Sequence, residues 1–458
     1  MELQLVFVSN YINHHQIPFC NALYRVLGKG FCFIQTEPME QERVKMGWNE
    51  KAKLPYVKYF YEQPEECRQL IMECKVMLFG GSDDEGYVAP RLSAGLPVIR
   101  YSERLYKTGQ WKAVSPRGLI QKFKDHTRYR KAPVYLMCSG AYVPSDFHIV
   151  HAYPGKMFRW GYFPEFQEYE IEELLDGKGW CTAGDEQSAA GSETAGLAVA
   201  GSETGSETAG LVAGGSEASD SEKIPYLLWA ARFIDWKHPQ LPVRMAARLK
   251  GSGCRFHMDI IGGGELDEEV RSLVKELGVE DCVSLPGFRK PEEVRTYMEK
   301  ADIYLVTSDC EEGWGAVVNE AMNSGCAVVG NHMIGAVPYL IDPEKNGRIY
   351  HDKDEDMLFE QLYELCNDRN LCRRLGREAY RTIAQDWNPQ MAAKRFLILL
   401  VRLGLLDEDR LDGIPAVSAG EDTSAFQTGP CSPAPVIGER AMRRLLDRKA
   451  EQNKKTRL

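Results

Sequence analysis

Short runs of apolar residues recur along this chain, and they limit what it can fold into more than any other feature. The runs are rich in Val, Leu and Ile and carry no regular alternation with polar residues. They lie at 3–8, 76–79, 97–101, 133–138, 226–230, 257–261, 282–285, 303–306 and 327–330. Such runs are typical of strands that are buried on both faces. Because helical stretches separate them, the sequence predicts an α/β fold with parallel sheets covered by helices.

The second half of the chain gives the clearer helical pattern. Helices are predicted there at 239–250, 267–277, 291–300, 316–324 and 354–382, and an apolar-faced helix at 388–405. The alternation of strands and helices therefore occurs twice, once in each half of the chain. It predicts two Rossmann-like domains that face each other across a cleft, with ligands at the carboxyl ends of the strands.

A low-complexity segment separates the two halves. Gly-Ser-Glu-Thr occurs at 191–194, 201–204 and 205–208, among Ala, Gly and Ser. This composition cannot bury enough apolar surface to offset the entropy of ordering, so we expect a disordered insert at about 183–220. The predicted divisions are a first domain at 1–165, a linker at 166–225, a second domain at 226–387, a helix at 388–406 and a disordered tail at 407–458.

Charge and cysteine content narrow the class of protein. The 458 residues carry a formal net charge of −10, which argues against a nucleic-acid-binding surface over the whole protein. The 13 cysteines form no Cys-x-x-Cys pair, which disfavours a zinc site and a disulfide framework. No apolar run approaches the roughly 18 residues of a membrane span. The first residues read as a strand rather than a signal peptide, so we expect a cytoplasmic protein.

Gly262, Gly263 and Gly264 lie where a predicted strand passes into a helix. Glycines at such a turn let backbone N–H groups approach a phosphate, and the helix N-terminus favours its negative charge. A dinucleotide fingerprint would need another glycine at the position of Asp267. A tight turn without a ligand is the alternative to a phosphate site.

The segment 308–322 also follows a predicted strand and opens a helix. Gly313 and Gly315 free the backbone at the helix N-terminus, which suits a pyrophosphate. The carboxylates of Glu312 and Glu320 can accept hydrogen bonds from sugar hydroxyls. Two solvated surface glutamates are the alternative.

Two cations follow the first strand of the second half. Arg232 and Lys237 stand between this strand and the next helix, near the predicted cleft. Cations there can neutralise a diphosphate leaving group without a metal. Ordinary surface charges are again the alternative.

Together these motifs resemble the retaining glycosyltransferases of family 4, whose two facing Rossmann-like domains form the GT-B architecture. The resemblance covers residues 226 to about 345. It rests on ARFIDWK (231–237), IIGGGEL (260–266), LPGF (285–288), EGWGAVVNEAMNSG (312–325) and NG (346–347).

The resemblance implies a role for each motif residue. Arg232 and Lys237 would bind the diphosphate of a nucleotide-sugar donor, and Glu320 would hold its ribose hydroxyls. Phe288 would lie beside the base. The turn that holds the donor sugar would be formed by Glu312, Gly313, Trp314 and Gly315, and Gly262, Gly263 and Gly264 would line the donor site. Members of the family generally need no metal, and the nucleotide-sugar is a substrate, so no cofactor is expected.

The first half resembles the family more loosely, and bacterial polysaccharide-assembly transferases most. Asn13, His14 and His15 follow the first strand, at the cleft edge where acceptor-side loops lie. A capping or packing role is the alternative for the two histidines.

Many relatives carry a histidine after a later strand of this domain, but this chain has Ser102 and Glu103 there. Glu103 or Ser102 would then meet the transferred sugar. Glu103 is the candidate catalytic residue, unless it forms a structural ion pair with Arg100 or Arg104.

Residues 100–131 form a local basic stretch. They contain ten Lys or Arg against two acids, with aromatic residues interleaved. This stretch has three alternative interpretations. It is an ordinary solvated surface, a surface that binds anionic lipid head groups, or a surface that binds nucleic acid. Lipid is favoured over nucleic acid, because polysaccharide-assembly acceptors are commonly lipid-linked and basic, aromatic-bearing helices suit an interface.

The resemblance therefore implies a retaining, metal-independent hexosyltransferase of cell-surface polysaccharide biosynthesis. Its partners would be a nucleoside-diphosphate sugar, a glycan or lipid-linked acceptor and an anionic membrane surface, with no nucleic acid. The expected location is the cytoplasm, including the inner face of the membrane. A nucleotide-sugar epimerase or phosphorylase of the same fold, and a non-catalytic nucleotide-sugar-binding protein, are the alternatives.

Overall fold

The computed structural model describes residues 2–39, 54–181, 223–407 and 427–457. The predicted disordered insert at 183–220 lies outside these residues. The first part of the chain folds into an N-terminal domain with a seven-stranded parallel sheet in the order β3-β2-β1-β4-β5-β6-β7. Its elements are β1 (Leu5–Ser9), α1 (Ile17–Leu27), β2 (Phe31–Gln35), β3 (Val57–Tyr59), α2 (Pro64–Glu73), β4 (Val76–Phe79), α3 (Ala89–Ser93), β5 (Val98–Ser102), α4 (Pro116–Asp125), β6 (Val134–Ser139), α5 (Val143–Ile149) and β7 (Met157–Trp160).

The second part folds into a C-terminal domain with a six-stranded parallel sheet in the order β12-β11-β10-β13-β14-β15. Its elements, with those that flank it, are α6 (Ile171–Gly177), β8 (Trp180–Cys181), β9 (Lys223–Ile224), β10 (Tyr226–Ala230), α7 (Gln240–Gly251), β11 (His257–Ile261), α8 (Asp267–Glu276), β12 (Val283–Gly287), α9 (Pro291–Lys300), β13 (Ile303–Val306), α10 (Ala316–Asn323), β14 (Ala327–Asn331), α11 (Val337–Leu340), β15 (Arg348–Tyr350), α12 (Glu355–Asn367), α13 (Arg369–Gln385), α14 (Pro389–Arg402) and α15 (Glu439–Arg457). The prediction of two Rossmann-like domains is confirmed.

The strand order fixes where each domain can bind a ligand. In both sheets the order reverses beside the first strand, between β1 and β4 and between β10 and β13. At such a switch point the loops leave the carboxyl ends of neighbouring strands in opposite directions and open a crevice. The loop after β10 and the loop after β13 carry the motifs identified in the second half.

The sheets form because their strands can be buried completely. Every residue of Leu5–Ser9, Val76–Phe79, His257–Ile261 and Ile303–Val306 is buried. A parallel strand that is covered by helices on both faces exposes neither side to water, which is why these runs lack polar alternation. None of the helices in the described ranges is both long and apolar enough to cross a bilayer.

The chain passes between the two domains at more than one place. After β7 it runs to the C-terminal domain, where the Gln167 amide donates to the Asn323 side chain at 2.9 Å. Helix α14 then returns, and Phe396 packs against Phe19 and Trp160 with ring centroids 6.0 and 5.6 Å apart. Residues 166–181 of the stretch predicted as a linker are therefore folded, and part of this stretch packs on the C-terminal domain.

The structure differs from the sequence prediction in several elements. Strands β2, β3, β7, β8, β9 and β15 were not predicted. The predicted helix 354–382 is two helices, because the Asp368 side chain accepts a hydrogen bond from the Leu371 amide and begins a new one. The tail predicted to be disordered at 407–458 is folded from residue 427 to 457, since Met442 and Leu446 of α15 are buried in the core.

The two ends of the undescribed segment 182–222 meet in the structure. Strands β8 and β9 pair antiparallel, with Trp180 opposite Ile224 and Cys181 opposite Lys223. A segment whose ends are already paired closes a loop at a cost that depends only weakly on its length.

We therefore expect that replacing residues 183–220 by a short Gly-Ser linker leaves the fold intact. Shortening the loop changes closure entropy by only about 0.6 kcal/mol for each halving of its length. Thermal unfolding of the shortened and full-length chains would test this. A fall in the melting temperature of ten degrees or more would contradict it, since it would mean that the segment packs on the domains.

Candidate active site between the two domains

The loop after β10 carries the two predicted cations to the switch point of the C-terminal domain. Arg232 is exposed, and none of the described residues forms an ion pair or hydrogen bond with its guanidinium group. Lys237 ends a short 3₁₀ turn, and its backbone carbonyl accepts a hydrogen bond from the Thr307 hydroxyl at 2.6 Å. This bond ties the loop after β10 to the end of β13.

The glycine cluster after β11 supports this loop. A side chain at Gly262 would overlap the Ala231 carbonyl, and one at Gly264 would come within 2.7 Å of the Phe233 carbonyl oxygen. The Phe233 amide donates to the Gly263 carbonyl at 2.9 Å. Gly262 and Gly264 thus let two loops approach closely. The structure gives them this packing role, and contact with a phosphate stays a prediction.

Lys237 and Glu312 form an ion pair across the switch point. Both side chains are only 14% exposed, so the pair is shielded from bulk water. Lys237 also lies over the Trp236 ring, 4.4 Å from its centroid. The sequence placed both residues in one site, and the structure brings them into contact.

Glu320 lies on α10, in the second turn of the helix. Its side chain is half-buried, and burial raises the pKa of this carboxyl above its usual range, opposed by the charge of Arg295. No described residue donates a hydrogen bond to the carboxylate. A partly desolvated carboxylate without a protein donor is expensive unless a ligand supplies hydrogen bonds.

Phe288 follows β12 at the same edge of the sheet. Its ring is 59% exposed, among the most exposed of the large apolar residues. The Gly262 amide donates to the Gly287 carbonyl at 3.1 Å, so the glycine cluster holds the residue before Phe288 as well. The two loops and the exposed ring therefore lie along one edge of the domain.

Trp314 was predicted to bind the donor, but the structure buries its side chain. It is 1% exposed, and its indole N–H donates to the Asn319 side chain at 2.9 Å. The ring packs against Tyr162, Tyr339 and Trp387. The indole therefore fills the core between the two domains, and only its backbone can face a ligand.

The backbone around Trp314 takes a form that favours glycine. Gly315 caps α10 with φ of +87°, in the left-handed region. A side chain there would also come within 2.8 Å of Ile334. Any other residue at position 315 would therefore strain the backbone and crowd Ile334.

A cavity of about 750 Å³ opens in the N-terminal domain at the carboxyl ends of its strands. Its wall combines aromatic rings with charged and amide side chains, among them Gln16, Arg100, Tyr101, Glu103, Trp160 and Tyr162. Aromatic and polar groups together suit a sugar or a similarly amphipathic ligand. The residues of the predicted acceptor side, Asn13 and His15, belong to this wall.

Glu103 lies on the cavity wall against the C-terminal domain. A side chain at Gly313 would overlap its carboxylate, so the two residues are in contact across the cleft. Tyr162 donates a hydrogen bond to Glu103 at 2.6 Å, and the Lys107 ammonium lies 3.2 Å from it. Lys107 also donates to the Glu311 carbonyl of the C-terminal domain at 3.1 Å.

The structural ion pairs considered for Glu103 do not form. Arg100 instead binds Glu85 with two hydrogen bonds of 2.7 and 2.5 Å. Arg104 pairs with Asp146 and Glu439. The partners that do hold Glu103, Lys107 and Tyr162, were not singled out in the sequence. Lys107 is four residues away, but Tyr162 comes from another strand end, and no local signal marks it.

The two histidines differ in their surroundings. Burial lowers the pKa of His15 to about 3, with a smaller effect from His14, so its ring is neutral near pH 7. Burial also lowers the pKa of His14, although Glu292 of the other domain opposes this. The Asn13 side chain accepts from the His15 and Gln16 amides and caps the turn. His15 is therefore placed as a neutral polar group, and Asn13 has a structural role.

Comparison with known proteins finds a family match in the second half of the chain. Residues 216–382 match the family model of the glycosyl transferases group 1. The putative colanic acid biosynthesis glycosyltransferase WcaL of Salmonella typhimurium is 27% identical over 180 residues, 38% of this chain and 44% of that protein. The amylovoran biosynthesis glycosyltransferase AmsK of Erwinia amylovora is 29% identical over 182 residues, 39% of this chain and 44% of that protein. The matches thus span less than half the length of these relatives.

Solved structures share the whole fold at low sequence identity. The lipopolysaccharide outer core galactosyltransferase WaaB has a TM-score of 0.58 at 14% identity, covering 88% of this chain and 100% of that chain. Anabaena HepE in complex with UDP and glucose has a TM-score of 0.56 at 12% identity, covering 87% and 100%. The two-domain arrangement is therefore that of glycosyltransferases of the GT-B fold.

The packing of Trp314 makes one position at the junction sensitive to added volume. A methyl group at Gly161 would overlap the Trp314 indole, which is itself surrounded by aromatic rings. We expect Gly161→Ala to lower the free energy of unfolding by about 1–3 kcal/mol, as overpacking does. Gly177→Ala is the control, since a methyl group there meets nothing within 4 Å. Urea unfolding that gave equal stabilities for both variants would contradict the close packing at this junction.

Proposed function

We propose that this chain, whose C-terminal domain matches the model of the glycosyl transferases group 1, moves a sugar from a nucleoside-diphosphate sugar to a glycan or lipid-linked acceptor. The donor would bind at the carboxyl ends of β10–β13, and the acceptor would enter the cavity of the N-terminal domain. Transfer would be metal-independent and would retain the anomeric configuration.

The observation that carries the proposal is the half-buried carboxylate of Glu320, which has no hydrogen-bond donor among the described residues. Ribose hydroxyls are neutral donors that would satisfy it without introducing a second charge. The exposed ring of Phe288 stands at the same edge, where a nucleobase can stack. Arg232, which is exposed and follows β10, supplies a cation without a described partner. A nucleotide matches this set of groups.

The two cations would act on the leaving group. As the bond to the sugar breaks, negative charge grows on the diphosphate, and fixed positive groups lower the energy of that state. Lys237 is held by Glu312, whereas Arg232 is free of described partners, so a diphosphate would contact Arg232 directly and share Lys237 with Glu312. In a retaining transfer of this kind, the departing phosphate oxygen takes the proton of the acceptor hydroxyl on the same face.

Glu103 would meet the reacting sugar from the N-terminal side. Its carboxylate lies against Gly313, in the turn expected to hold the donor sugar, and faces the acceptor cavity. Tyr162 and Lys107 fix its position. A carboxylate at this point would orient sugar hydroxyls and stabilise positive charge on the ring at the transition state. The tight contact between the domains keeps out water that would hydrolyse the donor.

We infer the class of acceptor from the names of the relatives and from the lining of the cavity. WcaL and AmsK are named for the biosynthesis of colanic acid and amylovoran. Another relative, from Campylobacter jejuni and 29% identical over 163 residues, is named for a transfer onto a sugar carried by diphospho-undecaprenol. We therefore propose a polysaccharide or lipid-linked glycan as acceptor. This assignment rests on likeness and on the amphipathic lining of the cavity.

Helix α4 lies beside the cavity and would provide a surface for a membrane. Its ten residues bury none of their side chains. Gln121, Lys122 and Asp125 line the cavity on one face. The other face exposes Ile120 and Phe123 to 58% and 56%. An exposed apolar face beside a cavity is costly in water but favourable at a lipid interface.

The charge around α4 suits anionic lipid. Trp111, on the preceding turn, is 70% exposed, and Arg117, Lys124 and Arg128 are exposed as well. Each cation near an anionic surface contributes about 1 kcal/mol. We propose that this face rests on an anionic bilayer at the inner face of the membrane, with a lipid-linked acceptor entering the cavity from the membrane side.

Glu320→Ala is expected to weaken donor binding by about 10- to 100-fold, because loss of charge-assisted hydrogen bonds costs about 1.5–3 kcal/mol. Calorimetric titration with UDP-sugars and other nucleoside-diphosphate sugars would measure it. Glu268→Ala, an exposed glutamate on α8, is the control. Equal affinity of a folded Glu320→Ala variant and the wild type would remove the donor-site assignment. Conversion of the donor to another sugar without any acceptor would instead favour an epimerase.

Binding to vesicles tests the membrane surface. We expect co-sedimentation with phosphatidylglycerol vesicles but not with phosphatidylcholine vesicles, weakening as salt is added. Trp111→Ser/Ile120→Ser/Phe123→Ser should reduce binding at least tenfold, since each buried apolar side chain contributes about 1.5–3 kcal/mol. Leu277→Ser/Tyr363→Ser, on exposed apolar residues of the C-terminal domain, is the control. If both variants bound as the wild type does, the surface would not be a membrane contact.

A further inference from the structure

Residues 427–457, which we call the C-terminal strap, contact both domains. The strap comprises an extended part before residue 439 and helix α15 after it. Neither part belongs to the two Rossmann-like sheets or to the site described above. The extended part contacts the N-terminal domain, and the polar contacts of α15 beyond its first residue are with the C-terminal domain.

The extended part is built into the N-terminal domain. The Cys431 amide donates to the Arg159 carbonyl, and the Arg159 amide donates to the Ser432 carbonyl, both at 2.8 Å. The Ala434 amide donates to the Met157 carbonyl at 3.0 Å. The strap thereby pairs antiparallel with β7, the edge strand of the sheet, and Cys431 and Ser432 are buried. Paired and buried backbone of this kind opens only with the domain.

Helix α15 is held on the C-terminal domain by surface contacts. Asp447 lies 2.7 Å from the His351 ring nitrogen Nε2, and Asn453 donates to the Pro343 carbonyl at 2.8 Å. Lys449 pairs with Asp342 at 3.3 Å. The charged and polar groups of the strap in these contacts are mostly exposed. Contacts of this kind contribute little each and can be broken and remade.

The junction of the two parts lies beside the candidate active site. Glu439, the first residue of α15, pairs at 2.9 Å with Arg104, which follows Glu103 in the chain. Arg104 also lies 3.4 Å from the buried carboxylate of Asp146. Met442 and Leu446 then pack into the core cluster that both domains share. The strap thus crosses from one domain to the other next to the residue that touches Gly313.

We infer that the C-terminal strap holds the two domains closed over the cleft, and that α15 is the part that releases when the cleft opens. The extended part cannot leave without breaking an edge of the sheet, whereas α15 is held by a few polar contacts and two buried apolar side chains. A strap fixed at one end and releasable at the other stabilises the closed arrangement and still allows the domains to separate. This inference does not depend on which ligand the cleft binds.

One hydrogen bond between the domains reports on closure. The Ala141 amide of the N-terminal domain donates to the Gly335 carbonyl of the C-terminal domain at 3.0 Å. Both residues are buried at the junction. This amide can exchange with solvent only when the domains part, so its exchange rate measures how often the cleft opens.

The test is hydrogen exchange, followed by mass spectrometry, on the full chain and two variants. Asp447→Ala/Asn453→Ala removes two contacts of α15 to the C-terminal domain. The control Arg444→Ala/Glu451→Ala alters exposed residues of the same helix whose side chains form no hydrogen bond or ion pair with the described residues of that domain. We expect the Ala141 amide to exchange about tenfold faster in the first variant, since each lost hydrogen bond contributes modestly to closure. In the second variant it should exchange as in the wild type.

A third chain that ends at Gly438 separates helix release from loss of fold. If it folds, shown by unchanged protection of β1 and β10, its Ala141 amide should exchange at least as fast as in the first variant. If it does not fold, the first variant alone decides. Wild-type exchange at Ala141 in Asp447→Ala/Asn453→Ala overturns the inference, as does equal acceleration in the control variant.

Discussion

The close approach of the two domains around Trp314 is the constraint on which the rest of the site depends. The indole fills the space between the sheets, and glycines at positions 140, 161 and 335 leave room for backbone to meet backbone around it. Any larger residue there would push the domains apart. Because the turn 312–315 carries both Trp314 and the groups that face the cleft, this packing also sets the distance between Glu103 and the C-terminal domain.

The charged residues of the site fall into two groups, those that form an ion pair with each other and those without a described partner. Lys237 and Glu312 neutralise each other in a shielded position, which makes them costly to separate and suits them to holding geometry. Arg232 and Glu320 have no described partners, so they are the groups whose charge a ligand can satisfy. From the sequence, all four residues were assigned to the same donor site. Only their contacts show that they differ in what they can do for a ligand.

The sequence predicted most of the fold because its strands are buried on both faces and therefore read as unbroken apolar runs. Strand β2 follows α1 with almost no linking segment, and its run of Phe, Cys and Ile was not separated from the helix before it. The break at Asp368 was missed because a capping aspartate in a polar stretch looks like any helical surface residue. The folded end of the tail was missed because its composition is polar and basic, and it is ordered by pairing with an edge strand far away in sequence.

What the sequence determined by itself was the class of fold and the identity of the motif residues, since buried parallel strands and glycine-bearing turns leave a local pattern. It could not determine that Trp314 would be buried, that Glu103 would be held by Tyr162 and Lys107, or that the C-terminal strap would span the domains. Each of these depends on side chains that meet from distant parts of the chain. Their positions follow from how the two sheets pack, and no stretch of sequence encodes that packing by itself.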